Sequence, residues 1–113
     1  MKGVFLMTFE ENFEALKSIF TKADPKALDG DLAIQINLTG EGEGRMYAAV
    51  KNGVLSVEPY EYYDRDVALT CDSKNFISIA EGKLDPVQAY MTGKLKVDGD
   101  IGKALKLKVF TKK

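Results

Sequence analysis

The chain has 113 residues, the size of one ordinary domain, and folding at that length removes roughly two thirds of the unfolded surface from water. With 45% hydrophobic and 29% charged residues it is too apolar for a disordered segment. A net charge of −1 and the lack of any histidine exclude a strongly basic nucleic-acid binder, a Ser-His or Cys-His nucleophile and a histidine metal site.

The charge is unevenly spread. From Lys83 to Lys113 eight lysines face Asp85, Asp98 and Asp100, net +5, while the remaining eight basic and fourteen acidic residues sum to −6. A basic C-terminal third suits an acidic partner or an anionic membrane; the plain alternative is a solvated lysine face. Cys71 stands alone, so no internal disulfide forms, in keeping with a reducing compartment. The opening MKGVFLM is too short for a signal-peptide core, no apolar run approaches a membrane span, and Thr111-Lys112-Lys113 is no peroxisomal address. These features predict a soluble, cytoplasmic chain.

Thr8-Phe9-Glu10-Glu11 has the form of a capping box. Behind it Phe9, Phe13, Leu16, Phe20 and Ala23 recur at helical spacing, and Asp24-Pro25 is expected to close the helix. Leu32, Ile34, Ile36 and Leu38 alternate with Ala33, Gln35 and Asn37, which predicts a half-buried strand. After the flexible turn Gly40 to Gly44, residues Arg45 to Lys51 and Val54 to Glu58 form two more strands joined by the tight turn Asn52-Gly53. A charged, tyrosine-rich loop from Pro59 to Asp66 leads to a fourth strand, Val67 to Cys71.

The C-terminal third changes character. Asp72-Ser73 caps a helix carrying Phe76, Ile77, Ile79 and Ala80, with Gly82 placed to end it. Asp85-Pro86 opens a short helix that Gly93 stops, and Lys94 to Val97 reads as a fifth strand. Asp98-Gly99-Asp100 then caps a last helix bearing Ile101, Ala104, Leu105 and Leu107. Gly-Lys-Leu occurs at Gly82 and again at Gly93. Both glycines follow helices, whereas a phosphate loop needs glycines ahead of a helix and Lys-Ser or Lys-Thr after them, so these are not phosphate loops.

No catalytic constellation stands out. Cys71 at the end of an apolar strand reads as a small core residue. Glu41 with Glu43, and Glu58 with Glu61, lie in loops where carboxylates are solvated. Tyr60, Tyr62 and Tyr63 sit among Glu58, Glu61, Asp64 and Asp66, which would repel a phosphate backbone. The reading is of a chain that is no enzyme and needs no cofactor, metal or nucleic acid.

A run of motifs does carry a likeness: Asp72-Ser73 with Phe76, the corner Gly82-Lys83-Leu84-Asp85-Pro86, then Ala89-Tyr90-Met91. It continues through Gly93-Lys94-Leu95-Lys96-Val97-Asp98-Gly99-Asp100 to Lys103-Ala104-Leu105-Lys106-Leu107. With Val50-Lys51-Asn52-Gly53 upstream, this resembles the sterol carrier protein type 2 (nonspecific lipid-transfer) family over nearly the whole chain. The resemblance implies an α+β fold, a twisted five-stranded mixed sheet with helices packed on one face and an apolar tunnel between the layers. It implies one lipid-binding domain over residues 1–113, binding a fatty acid, acyl-CoA or isoprenoid lipid, as a monomer or weak homodimer. The element order read from the residues agrees. The strand-helix-helix-strand passage near the end further predicts a local parallel pair.

On that resemblance, Phe76, Ile79, Leu84, Tyr90, Leu105 and Phe110 are expected to face inward and line the cavity. Phe13, Leu16 and Phe20 would close it from the first helix, and Ala80, Ala89 and Ala104 would leave it open. Two departures stand beside this. Lys108 occupies a position where well-known members carry a glutamine at the tunnel, and a lysine there is expected to turn to solvent. The first helix, which in the family is linked to docking on anionic membranes, carries Glu10, Glu11 and Glu14 against Lys17 and Lys22, so membrane contact falls to the C-terminal lysines. The alternative reading is a non-catalytic dimerisation or accessory module with a filled core that partners an enzyme.

Overall fold

The computed structural model describes residues 7–112. The first six residues of the opening and the terminal Lys113, both read above for targeting signals, lie outside the described residues.

Helix α1 spans Phe9–Phe20 behind the expected capping box: the Thr8 hydroxyl accepts from the Glu11 amide at 3.2 Å and the Glu11 carboxylate accepts from the Thr8 amide at 2.9 Å. Phe13, Leu16 and Phe20 are buried, each worth about 1.5–3 kcal/mol of hydrophobic burial. The helix ends at Phe20, before Asp24-Pro25. Its last turn tightens as the amides of Lys22 and Ala23 reach back three residues to Ile19 and Phe20. Asp24 instead caps a separate 3-10 turn, Pro25–Ala27.

Five strands follow: β1 Leu32–Thr39, β2 Gly44–Lys51, β3 Val54–Glu58, β4 Val67–Asp72 and β5 Leu95–Gly99, in the order β3-β2-β1-β4-β5. Asn52 (φ 52°) and Gly53 (φ 78°) adopt the left-handed conformations that a two-residue hairpin between β2 and β3 requires. The register sets Leu32, Ile34, Ile36 and Leu38 of β1 in line with Met46, Ala48 and Val50 on one side and Val67, Leu69 and Cys71 on the other. These side chains form one apolar face against the helices, and all are buried. The opposite face is polar. There the loop from Pro59 to Asp66 crosses the sheet, with the Tyr62 amide and the Arg65 guanidinium both donating to Gln35 Oε1 at 3.1 and 2.9 Å. Tyr62 also meets Tyr47 edge to face at 4.7 Å.

The fold is thus an α+β arrangement with a five-stranded mixed sheet and helices on one face. The expected position of the parallel pair is corrected. β4 and β5 run antiparallel, and the parallel partners are β1 and β4. Two helices rather than one lie between β4 and β5, α2 (Ser73–Ala80) and α3 (Pro86–Met91). The single-helix crossover rule does not apply to such a pair.

The last segment also departs from the expectation of one α-helix. α4 covers only Ile101–Ala104 and passes into a 3-10 segment, Leu105–Phe110. At three residues per turn, Ala104, Leu107 and Phe110 stack on one side, and all three are buried. A 3.6-residue period would have carried Phe110 off that line.

Candidate functional site

The nine residues expected to line a cavity do not all meet. Phe13, Leu16, Phe20, Phe76, Ile79 and Phe110 lie in one continuous core. Phe20 packs on Phe76 edge to face at 6.3 Å and on Phe110 at 5.9 Å, so α1, α2 and the 3-10 segment join through three phenylalanine rings. Leu84 is half-buried at the margin of this core. Two inward placements are corrected: Tyr90 is 42% exposed and Leu105 43%. In α3 the buried positions are Pro86 and Ala89, and Tyr90, one residue on, points about 100° away. Leu105 is displaced by the 3-10 phase, which turns Ala104 and Leu107 inward instead. Ala80, Ala89 and Ala104, expected to be small inward residues, are all buried.

Two surface grooves lie near the end of the described chain. One, of about 350 Å³, runs between the end of α2 and the start of α3, with Ile79, Leu84 and Pro86 as its apolar wall and Asp85 and Lys108 at its rim. The other, of about 320 Å³, lies between the end of α1 and the 3-10 segment, against Ile19, Ala23, Val109 and Phe110. Thr111 and Lys112 border both.

This terminal stretch is pinned locally. The Lys112 amide donates to the Ala80 carbonyl at 2.8 Å, and the Thr111 hydroxyl donates to the Lys108 carbonyl at 3.0 Å. Gly82, at φ 78°, passes directly beneath: a Cβ there would stand 2.6 Å from the Lys112 carbonyl oxygen. Lys108 turns to solvent, as expected, and ends 3.3 Å from Asp85. The Asp85 carboxyl caps α3 by accepting the Gln88 amide. That bond, with the Lys108 ammonium, holds it below the usual carboxylate range.

The site offers little for covalent or proton-transfer chemistry. Cys71 lies in the sheet, away from both grooves, and burial followed by the charge of Asp72 pushes its thiol up to about 12. Among the described residues, no helix is long and apolar enough to cross a membrane. What sequence reasoning missed is the terminal stretch itself. The three-residue spacing of Ala104, Leu107 and Phe110 fits a 3-10 phase, but an α-helical face also contains such spacings, so it did not decide between them.

The comparisons with known proteins agree with this architecture. The model of the SCP-2 sterol transfer family matches residues 13–112. Hydroxysteroid dehydrogenase-like protein 2 of Xenopus tropicalis is 38% identical over 99 residues, covering 87% of this chain and 23% of its own length. The chain thus spans about a quarter of the length of the first curated relatives it matches. Among solved structures, the stereoselective inverting sec-alkylsulfatase Pisa1 from Pseudomonas sp. superposes with a TM-score of 0.71 at 23% identity, over 84% of this chain and 15% of that one. Sterol carrier protein 2 from Aedes aegypti, in complex with the C16 fatty acid palmitate, superposes with a TM-score of 0.61 at 21% identity, over 94% and 96%. At those identities the structures share the fold. The family match extends over nearly all of the sequence, and the chain belongs to the SCP-2 sterol transfer family.

Proposed function

We propose that this chain is a non-catalytic lipid-binding domain that takes up a fatty acyl chain, free or as its CoA ester, or an isoprenoid lipid, through the paired grooves beside Thr111 and Lys112. The observation that carries the reading is that pairing: two surface grooves that share Thr111 and Lys112 in their lining, one of them reaching Phe110, which packs on Phe20 of the aromatic core. Lifting Thr111 and Lys112, with Phe110 following, would join the grooves and open the helix–sheet interface. Phe13, Leu16, Ile79 and Leu84 would then contact the guest. The palmitate bound by the Aedes aegypti protein of the same fold supports this choice of ligand class.

The mechanism is burial. An acyl chain of about fifteen methylenes, at ~0.8 kcal/mol each, gains roughly 12 kcal/mol gross on leaving water. A bilayer offers much the same gain, so the protein acts as a carrier that loads and releases rather than as a sink. The Asp85–Lys108 pair at the rim of one groove gives a polar head group a place at the mouth.

Titration of the purified protein with a fluorescent fatty acid tests the proposal. Saturable binding at micromolar concentration is expected, and a folded protein that shows none would refute it. A second reading is favoured by the fold's occurrence within the much longer Pisa1 chain: an accessory module, dimeric or docked on an enzyme. Solvent extraction followed by mass spectrometry separates the two. A copurifying lipid supports the carrier, and its absence together with a stable dimer supports the module.

A further inference from the structure

We infer that the outer edge of β3 pairs with the same edge of a second copy of this chain, antiparallel about a two-fold axis at Ser56, so that two five-stranded sheets join into one. The inference goes beyond the lipid-binding reading. β3 shares no residue with either groove beside Thr111 and Lys112, and a dimer made this way leaves both open.

The hairpin decides which backbone groups are free. Asn52 and Gly53 both have positive φ, as a type I′ turn requires, and this two-residue loop makes the flanking Lys51–Val54 a hydrogen-bonded pair. Hydrogen-bonded and open pairs alternate along an antiparallel ladder, so Ser56 and Glu58 also turn their amides and carbonyls to β2. Leu55 and Val57 turn theirs outward. Among the described residues no backbone hydrogen bond outside the ladder involves either, and β3 packs chiefly against β2. Such a row of unpaired donors and acceptors is a template for another strand. The usual protections are missing: Val54 to Val57 holds no charge, proline or bulge, and Val54 is 65% exposed. The opposite edge, β5, alternates Lys96 and Asp98 with apolar residues and lies against α3 and α4.

A second copy fits because β3 is complementary to itself in one register. With the axis at Ser56, Leu55 falls opposite the partner's Val57, and Val57 opposite the partner's Leu55. These are the outward-turned residues, so both pairs are hydrogen-bonded. Their side chains lie on the core face of the sheet, where Val57 is buried and Leu55 packs partly buried against the core. On the polar face Val54 falls opposite the partner's Glu58. Lys51 flanks Val54 on its other side, and neither Lys51 nor Glu58 has an ion pair among the described residues. Lys51 and the partner's Glu58 thus stand two strand spacings apart, about 10 Å between Cα atoms, and their long side chains meet over the exposed valine. Moving the axis to Leu55 or Val57 brings Gly53 or Pro59 into the pairing and separates Val54 from the partner's Glu58. The strand is short, so the dimer is expected to be weak, forming at roughly 0.1 mM and above.

Cross-linking tests the register. At the axis Ser56 and its symmetry mate form an open pair, with Cα atoms about 4.5 Å apart, within reach of a disulfide. The mates of Val54 and of Glu58 stand roughly 13 Å apart along the strands. Under mild oxidation Ser56→Cys is expected to give a disulfide-linked dimer, twice 12.5 kDa, at least about tenfold faster than Val54→Cys or Glu58→Cys. Cys71 is buried and common to all three. Sedimentation equilibrium tests the charge pairing, with circular dichroism to check that each variant folds. Val54→Glu, facing the partner's Glu58 twice per dimer, should weaken association roughly tenfold, whereas Val54→Lys should hold or tighten it. A parent that stays monomeric at about 1 mM overturns the dimer. So do three cysteine variants that cross-link at one rate, or two Val54 variants that shift association alike.

Discussion

Lys112 and Ala80 are joined by a single backbone hydrogen bond of 2.8 Å, which ties the end of the chain to the last residue of α2 across the backbone of Gly82. The contact is close enough to exclude any side chain at Gly82, whose φ of 78° already disfavours one. Gly82→Val should therefore cost about 1–3 kcal/mol in strain and displace the terminal stretch. Chemical denaturation measures the loss. On the carrier reading the same variant should take up fatty acid faster than the parent in stopped flow, because the stretch bordering both grooves is already displaced. An unchanged uptake rate in a destabilised variant would argue against the terminal stretch as the gate.

The 3-10 phase makes a contrast between neighbours. Phe110→Ala removes a fully buried ring that packs on Phe20, with an expected cost of about 3–5 kcal/mol, and Leu107→Ala should cost about 2–5 kcal/mol. Leu105→Ala, at a surface position of the same segment, should change stability by less than about 0.5 kcal/mol. Urea unfolding of the three variants decides it. A large loss at Leu105 with little at Phe110 would restore the α-helical phase.

That contrast shows which parts of the fold were legible in the sequence. β1 was readable because Leu32, Ile34, Ile36 and Leu38 alternate with residues covered only by a loop, and the hairpin because Asn52-Gly53 admits few other turns. The caps at Thr8, Asp72, Asp85 and Asp100 each lie where a short oxygen-bearing side chain precedes an apolar face. The direction of β5 was not readable from a local rule, since it depends on how two short helices turn the chain. The placements of Tyr90 and Leu105 failed for a related reason. In helices of only a turn or two, one residue of phase moves a side chain from the core to water, and apolar identity says nothing about phase. The grooves were still less accessible, because they arise where Ala80 and Lys112, distant in sequence, come into contact.

Asp66 connects the start of β4 to both neighbouring layers, accepting the Ala33 amide at 2.8 Å and the Lys103 ammonium at 3.1 Å. Burial by itself would raise its carboxyl, but the Ala33 amide and the Lys103 charge outweigh it, and the group titrates below its ordinary 3.8. A folded value below the unfolded one favours the folded state above the unfolded value. That contribution is lost as pH falls from 3.8 through the lowered folded value. Asp66→Asn should therefore be less stable than the parent at neutral pH, with the gap closing in acid below about pH 4. Thermal midpoints of both proteins across that range check it, and a gap independent of pH would mean that the charge of Asp66 contributes nothing.

Cys71 supplies a probe of how tightly the apolar face is closed. Its side chain is 2% exposed within β4, on the strand face shared with Leu38 and Leu95, and burial together with Asp72 raises the thiol to about 12. At pH 8 such a thiol is about one part in ten thousand thiolate, against a substantial fraction for an ordinary cysteine near 8.5. Alkylation by iodoacetamide should therefore be slower than for the unfolded chain by at least about a thousandfold, and mass spectrometry with and without denaturant reads the ratio. The ratio carries more than a rate. If a lipid enters by parting the helices from the sheet, loading and unloading must transiently expose this face, and the unliganded protein should be alkylated through that opening. Saturating fatty acid would then slow the reaction further, by favouring the closed, filled state. Rapid alkylation in the folded protein, with or without lipid, would instead mean that the helix layer does not seal against β4, and the burial on which the carrier depends would be absent.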